Sequence, residues 1–270
     1  MIVDKIMLEI TRNCDLICEH CCRGEKEVVN MSTATIDNVF KTVGYVDELF
    51  LTGGEPLIAI NQLEHLADLM MEGKILVGKL SFITNATVMS SRILTVLKKF
   101  QMCAVLDIRL SSDIFHVFEL ERLSLLEKRD ENIKVFKELF GLKTHTSTNP
   151  TENKHMARGL MFAGRAKKIT QERLDEINKM LPFNYIISKN FTPNEKCPQV
   201  VSEDEIKGTI YVDVNGFIVS TSNPEFKVED EEALETNINV NDMNIRDAVN
   251  QYYNQYEEKR KAMYAKLLGR

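Results

Sequence analysis

The stretch Leu8-Glu9-Ile10-Thr11-Arg12-Asn13-Cys14-Asp15-Leu16-Ile17-Cys18-Glu19-His20-Cys21 carries three cysteines in C-x3-C-x2-C spacing, directly after an apolar, strand-like run at Lys5–Ile10. The number three decides the reading. A structural zinc site closes around four ligands, and an electron-transfer 4Fe–4S cluster takes four cysteines. Thiolates are soft, anionic ligands, and three of them on one loop hold three corners of a cube. One iron is left open. On the residues alone two other readings stand. The triplet is half of a zinc site completed by Cys22, Cys103 or one of the five histidines, or it is ordinary packing of small apolar side chains.

Working outward, short apolar runs alternate with amphipathic stretches. Val46–Thr52 reads as a second strand and runs into Phe50-Leu51-Thr52-Gly53-Gly54-Glu55-Pro56. A helix is expected over Thr33–Thr42 with Ser32 as its cap, another over Ile60–Met71, and a third over Ser90–Phe100. Strands are expected at Lys79–Thr84 and Ala104–Leu110, then a long helical region over Phe115–Phe140. Such alternation predicts a parallel sheet with helices packed outside it. In parallel barrels, ligands collect at the C-terminal ends of the strands, and the cysteine loop and the glycine pair both follow strands. Residues 144–158 turn polar and read as either a mobile loop or a surface linker. Gly208–Ser220 alternates with period two around Asn215-Gly216, a hairpin signal. Residues 229–236 are acidic, and apolar positions from Met243 to Leu267 fall near helical spacing. That last helix either packs on the barrel or meets a partner.

Bulk properties narrow the class. The 270 residues fit one large α/β domain, with 44% hydrophobic and 27% charged residues and a net charge of −6. This acidic balance argues against a nucleic-acid-coating role, which needs a basic stripe. No apolar run approaches the length of a membrane span. Met1–Lys5 lacks the pattern of a secretory signal. Four of the six cysteines fall within Cys14–Cys22, which reads as metal binding in a reducing compartment rather than disulfide bonding. The expected location is the cytoplasm.

The cysteine triplet, with His20 before its third member, and the Gly53-Gly54-Glu55-Pro56 segment resemble the radical S-adenosylmethionine (radical SAM) enzymes. The resemblance covers about residues 1–190. It implies α/β architecture in a partial (β/α)6 barrel of the TIM type, open on one side. It implies one 4Fe–4S cluster on Cys14, Cys18 and Cys21, with S-adenosylmethionine bound to the open iron through its amino and carboxylate groups. An electron donor such as flavodoxin or ferredoxin would reduce the cluster. The cofactor would then be cleaved to a 5′-deoxyadenosyl radical that abstracts hydrogen from a substrate.

Further positions follow from the same resemblance. His20 would face the adenine, with an ordinary loop residue as its alternative. Gly53 and Gly54 would let backbone approach the cofactor, and Glu55 would meet its ammonium group. Without the resemblance, this segment is a tight turn before a helix. Thr84 and Asn85 would contact cofactor or substrate, or else cap the next helix. Ser111 and Asp113 are candidates for ribose and carboxylate contacts. Arg109 would meet a carboxylate, or pair with Asp107. Arg165, in Gly164-Arg165-Ala166, would do the same by bidentate geometry.

The chain divides in this reading into a barrel at 1–190 and an extension at 191–270, with the hairpin at 208–220 and a terminal helix at about 240–267. The extension looks similar to those that hold auxiliary clusters in peptide-modifying relatives. Here Ser220, Thr221 and Ser222 stand where a cysteine would follow the hairpin, with Cys197 the one thiol nearby. A single cluster is therefore expected. The substrate is a peptide or protein, or alternatively a small metabolite. A non-catalytic cluster- or zinc-binding protein is the rival from another class.

Overall fold

Period-two alternation and strand pairing together decide where each face of the sheet points. The computed structural model describes residues 1–145, 158–161, 164–181, 184–188, 197–219 and 237–267. Strands β1 (Ile2–Thr11), β2 (Tyr45–Gly53), β3 (Leu76–Thr84), β4 (Val105–Ser111) and β5 (Lys143–His145) are parallel neighbours. Helices α1 (Thr33–Phe40), α2 (Ile60–Met71), α3 (Ser91–Cys103), α4 (Ile114–Arg122) and α5 (Leu126–Phe140) connect them. After β6 (Arg158–Met161) come α6 (Gln171–Lys179), β7 (Tyr185–Ser188), β8 (Gln199–Ser202), β9 (Glu205–Val212) and α7 (Ile245–Leu267). The main sheet runs β5-β4-β3-β2-β1-β9-β8, and β6 pairs with β7 separately. Among the described residues the sheet does not close, and the fold is an open, partial α/β barrel.

One face of the sheet is apolar. Ile6, Leu8 and Ile10 of β1, Leu49 and Leu51 of β2, Leu80 and Phe82 of β3, and Ile108 and Leu110 of β4 are buried in one core. Against them pack Ile36 and Val39 of α1, Leu63 and Leu66 of α2, Val96 and Phe100 of α3, and Phe136 of α5. Each such side chain, fully buried, contributes on the order of 1.5–3 kcal/mol.

The other face is polar. Lys5 Nζ lies 3.9 Å from Glu48, Lys79 Nζ lies 3.2 Å from both Glu48 and Asp107, and Arg109 Nη2 donates to Asp107 at 2.8 Å. Ser81 Oγ adds a 2.9 Å bond to Glu48. Opposite charges therefore alternate across four adjacent strands, and Arg109 takes the ion-pair arrangement with Asp107.

Two expectations change. The helical region 115–140 is two helices, because Ser124 adopts φ 55° and Leu125 N–H bonds Leu120 O at 2.8 Å. That break lets Leu123, Leu125 and Leu126 pack against Leu16, Cys18 and Leu120. At 208–220 the Asn215-Gly216 turn forms, and Val212 bridges Ile218 in antiparallel fashion. The main partner of β9, however, is β1, in parallel, with β8 antiparallel on its other side. Ile206, Ile210 and Val212 join the main core that way, burying more apolar surface than a lone hairpin offers. Most of the polar segment at 144–158, the acidic residues 229–236 and Ser220 to Ser222 lie outside the described residues. Among those described, no helix is long and apolar enough to cross a membrane.

Burial pushes the Asp107 carboxyl up, but hydrogen bonds from Arg109 and Lys79 hold it down at about 2. A carboxylate depressed in the fold contributes stability above its unfolded pKa, and the contribution is lost as pH falls through the folded value. Asp107→Asn is expected to lower stability by about 1–2 kcal/mol at pH 7, discounted because Lys79 is partly exposed. In urea titrations, the gap from the parent protein should narrow as pH falls from about 4 toward about 2.

Candidate active site

The site starts with two strand ends that approach more closely than side chains permit. Gly54 N–H bonds Thr11 O at 2.8 Å, and Glu55 N–H bonds Asn13 O at 2.9 Å. A Cβ on Gly53, whose φ is +139°, would overlap the Thr11 carbonyl oxygen. One on Gly54 would overlap Asn13 O and lie 3.0 Å from Cys14 Cβ. The glycine pair thus sets the start of the cysteine loop against the end of β2.

From there the loop is pinned by side chains from elsewhere. Ile17 N–H bonds Glu119 Oε1 at 2.9 Å, and Asn85 Nδ2 donates to Asp15 Oδ1 at 2.9 Å. Thr87 Oγ1 also bonds Asp15. Cys14, Cys18 and Cys21 line one cavity of about 280 Å³, together with His20, Gly53, Gly54, Glu55, Asn85, Ser111 and Arg165. Thr84, Arg109 and Asp113 do not line it. Cys22 shares the wall, while Cys103 sits by Met71 with its sulfur 3.3 Å away. Burial pushes the Cys14 thiol up to about 12, with the Glu55 charge adding to it, and pushes Cys18 further. Such thiols ionise only beside a cation, which is the chemistry a metal cluster supplies.

Glu55 is fully enclosed. Its Oε1 accepts from Leu57 N at 3.2 Å and Thr84 Oγ1 at 2.8 Å, and its Oε2 accepts from Asn85 N at 2.8 Å. Thr84 therefore acts on the site through Glu55. Burial still pushes the Glu55 carboxyl up to about 7 despite those hydrogen bonds. Oε2 keeps a lone pair for one further donor.

On the opposite wall, the His20 ring stacks on Phe115 at 4.7 Å and meets His116 edge-on at 5.0 Å. Asp113 Oδ2 lies 2.6 Å from His116 Nδ1 and 3.3 Å from His20 Nε2, while Oδ1 caps α4 at His116 N, 3.1 Å. Burial opposes the charge, yet the two imidazoles hold the Asp113 carboxyl well below its usual range. Asp113 is thus engaged with the two rings. Arg165 donates to Cys18 O and Gly24 O. Arg23, next to the triplet, bonds Tyr211, Thr52 and Glu9.

The sequence reading missed Asp15, His116, Glu119 and Tyr211. Only His116 left a local signal, an N-cap aspartate three residues before a histidine on a first helical turn. The others act across separations of 70 to 188 residues.

Residues 8–163 match the family model of the Radical SAM superfamily. The chain belongs to the radical SAM superfamily. Two solved structures of this fold align over nearly all of it. One is native anSMEcpe with bound AdoMet and Cp18Cys peptide, at 13% identity and TM-score 0.53, over 92% of this chain and 80% of that one. The other is Streptococcus suis SuiB bound to precursor peptide SuiA, at 13% identity and TM-score 0.54, over 91% of this chain and 64% of that one. At these identities the likeness is one of fold. No curated protein matches the chain in sequence. As a radical SAM enzyme the protein uses a 4Fe–4S cluster and S-adenosylmethionine, and three thiols facing a glycine cradle in one cavity fit that pair.

Changing Cys14, Cys18 or Cys21 to alanine should abolish cluster assembly, while Cys22→Ala, Cys103→Ala and Cys197→Ala should retain about four irons per chain. Iron analysis after anaerobic reconstitution checks both halves. Loss of iron in Cys22→Ala, or close to eight irons in the parent protein, would overturn the ligand set.

Proposed function

We propose that this radical SAM enzyme abstracts hydrogen from a peptide or protein substrate. The observation that carries the reading is the open barrel, shared over more than nine-tenths of the chain with two structures that hold peptides. An unclosed sheet leaves side access to the C-terminal strand ends, which a bulky chain can use. Together the cluster and S-adenosylmethionine supply one-electron cleavage of the cofactor's carbon–sulfur bond, and with it a hydrogen-abstracting radical.

This chain's residues bind and orient. Cys14, Cys18 and Cys21 hold three irons. Gly53 and Gly54 would admit the methionyl backbone, and Glu55, which lines the cavity, would take its ammonium group. Thr84 holds Glu55 in place. Asn85 and Ser111, on the cavity wall, take polar groups of the cofactor or substrate, and His20 presents its ring, buttressed by Phe115, to the adenine. Asp113 positions that ring through Nε2. Apolar wall residues such as Leu16, Phe50 and Ile83 exclude water from the reacting centre.

With a strong reductant and S-adenosylmethionine, the protein should slowly form 5′-deoxyadenosine without substrate, because solvent or buffer hydrogens substitute poorly. The rate should rise with the right peptide, for which a short reading frame beside the gene is the first source. Product formation that rises with small metabolites and never with peptides would reassign the substrate. Cluster-bearing protein that makes no 5′-deoxyadenosine with any reductant would leave a binding role.

Glu55→Gln keeps the side-chain shape but removes the charge. It is expected to weaken S-adenosylmethionine binding about tenfold, since a hydrogen bond to a charged group is worth on the order of 1.5–3 kcal/mol, and to leave iron content unchanged. Calorimetry on the anaerobic protein measures it, and an unaltered dissociation constant would remove Glu55 from the ammonium site.

A further inference from the structure

We infer that Arg165 is a positioning residue for the cluster, clamping the loop that carries the second and third cysteines. The inference rests on the reading that those cysteines hold a cluster. Three bonds join one residue to one loop: Arg165 Nε to Cys18 O at 2.9 Å, Arg165 Nη1 to Gly24 O at 2.6 Å, and Arg165 N–H to Cys21 O at 2.9 Å. The loop's own bonds are longer, at 3.2 Å for Cys21 N–H to Cys18 O and 3.4 Å for Gly24 N–H to Cys21 O. The guanidinium therefore spans carbonyls six residues apart and fixes where Cys21 lies between them. Glu119 also takes Ile17 N–H, so the residue before Cys18 is held as well as the carbonyl of Cys18 itself.

Geometry explains why an arginine is needed. Its planar fork presents donors at fixed separation, whereas a lysine ammonium is a single point. A cluster held by three cysteines has one protein bond fewer than a four-cysteine cluster, so loop rigidity carries more of its retention. Partners that orient metal ligands typically change metal affinity 10–100-fold when removed. The neighbouring pairs are weaker devices. Lys168–Glu25 and Arg173–Glu19 lie at 2.7 and 3.1 Å but are substantially exposed, and exposed ion pairs contribute little.

The test uses the reconstituted full-length protein and its Arg165→Gln, Arg165→Lys, Lys168→Ala and Arg173→Ala variants. The readouts are the rate of iron release to a ferrous chelator, the electron paramagnetic resonance signal of the reduced cluster, and the S-adenosylmethionine dissociation constant. Arg165→Gln should release iron about tenfold faster or more, with an altered resonance signal and cofactor affinity within about twofold on loaded protein. Arg165→Lys should fall between it and the parent, and the two exposed variants should match the parent. Unchanged release and signal in Arg165→Gln would overturn the inference. So would a selective loss of cofactor affinity, which would give Arg165 to the cofactor's carboxylate. Should Arg165→Gln load no iron, intermediate release in Arg165→Lys still supports the clamp, and parent-like release in Arg165→Lys sinks it. An equal loss of stability in the iron-free variants would make the role merely structural. Parent protein that takes up no iron would end the reading of the site itself, a separate failure.

Discussion

The approach of two backbones at Gly53 and Gly54 is the constraint on which the rest of the site depends. Without side chains there, β2 ends within hydrogen-bonding distance of Thr11 and Asn13. That contact brings Glu55 beside the loop of Cys14. Glu55 in turn binds Thr84 and Asn85 at the end of β3. Asn85 returns to the loop through Asp15. The circuit closes on itself, so the position of the first cysteine is determined by three strand ends together. Circuits of this kind are high-stakes, because every buried polar group in them must stay satisfied.

A second network ties the late part of the chain to the same loop. Arg12 bonds Glu9 at 3.0 Å and Asp213 at 3.2 Å, and Arg23 reaches Glu9 and Tyr211. Glu9, Tyr211 and Asp213 are almost wholly buried. Burial pushes the Asp213 carboxyl up to about 6, with the Arg12 guanidinium opposing the shift. Two buried carboxylates thus face two guanidiniums that also line the cavity, and removing either arginine leaves a buried carboxylate short of a partner, a destabilising change. Strand β9 therefore does more than cover an edge of β1. Tyr211 on the strand accepts from Arg23, and Asp213, just past its end, pairs with Arg12.

Four strands, β1 to β4, were legible as short apolar runs between amphipathic stretches, while the short β5, β6 and β7 were not read. One cap was legible too, since Ser32 bonds the first turn that follows it, while Ser90, read as the first residue of its helix, is instead the cap. What escaped was encoded at long range. Nothing within residues 208–220 shows that β9 will find β1, about 200 residues earlier, as its parallel partner. The long helical region read over 115–140 breaks at Ser124, where leucines on both sides pack against Cys18. Arg109 and Arg165 were recognisable as carboxylate-binding types. Which acceptor an arginine meets is a tertiary fact, and here it is Asp107 for one and loop carbonyls for the other.

The arginines around the loop do not by themselves ionise its thiols. Cys14 and Cys18 share their neighbourhood with the carboxyl groups of Glu55, Asp15, Asp113 and Glu119. Ionising buried thiols in that company is unfavourable, which is why both titrate far above an exposed cysteine. Iron reverses the balance, because a metal-bound thiol gives up its proton outright. Arg12, Arg23 and Arg165 cannot replace that charge, since each is already engaged with a carboxylate, a hydroxyl or backbone carbonyls. Their contribution is geometric. They hold the loop and the residues beside it in place, while the charge that would stabilise thiolates there would come with a metal.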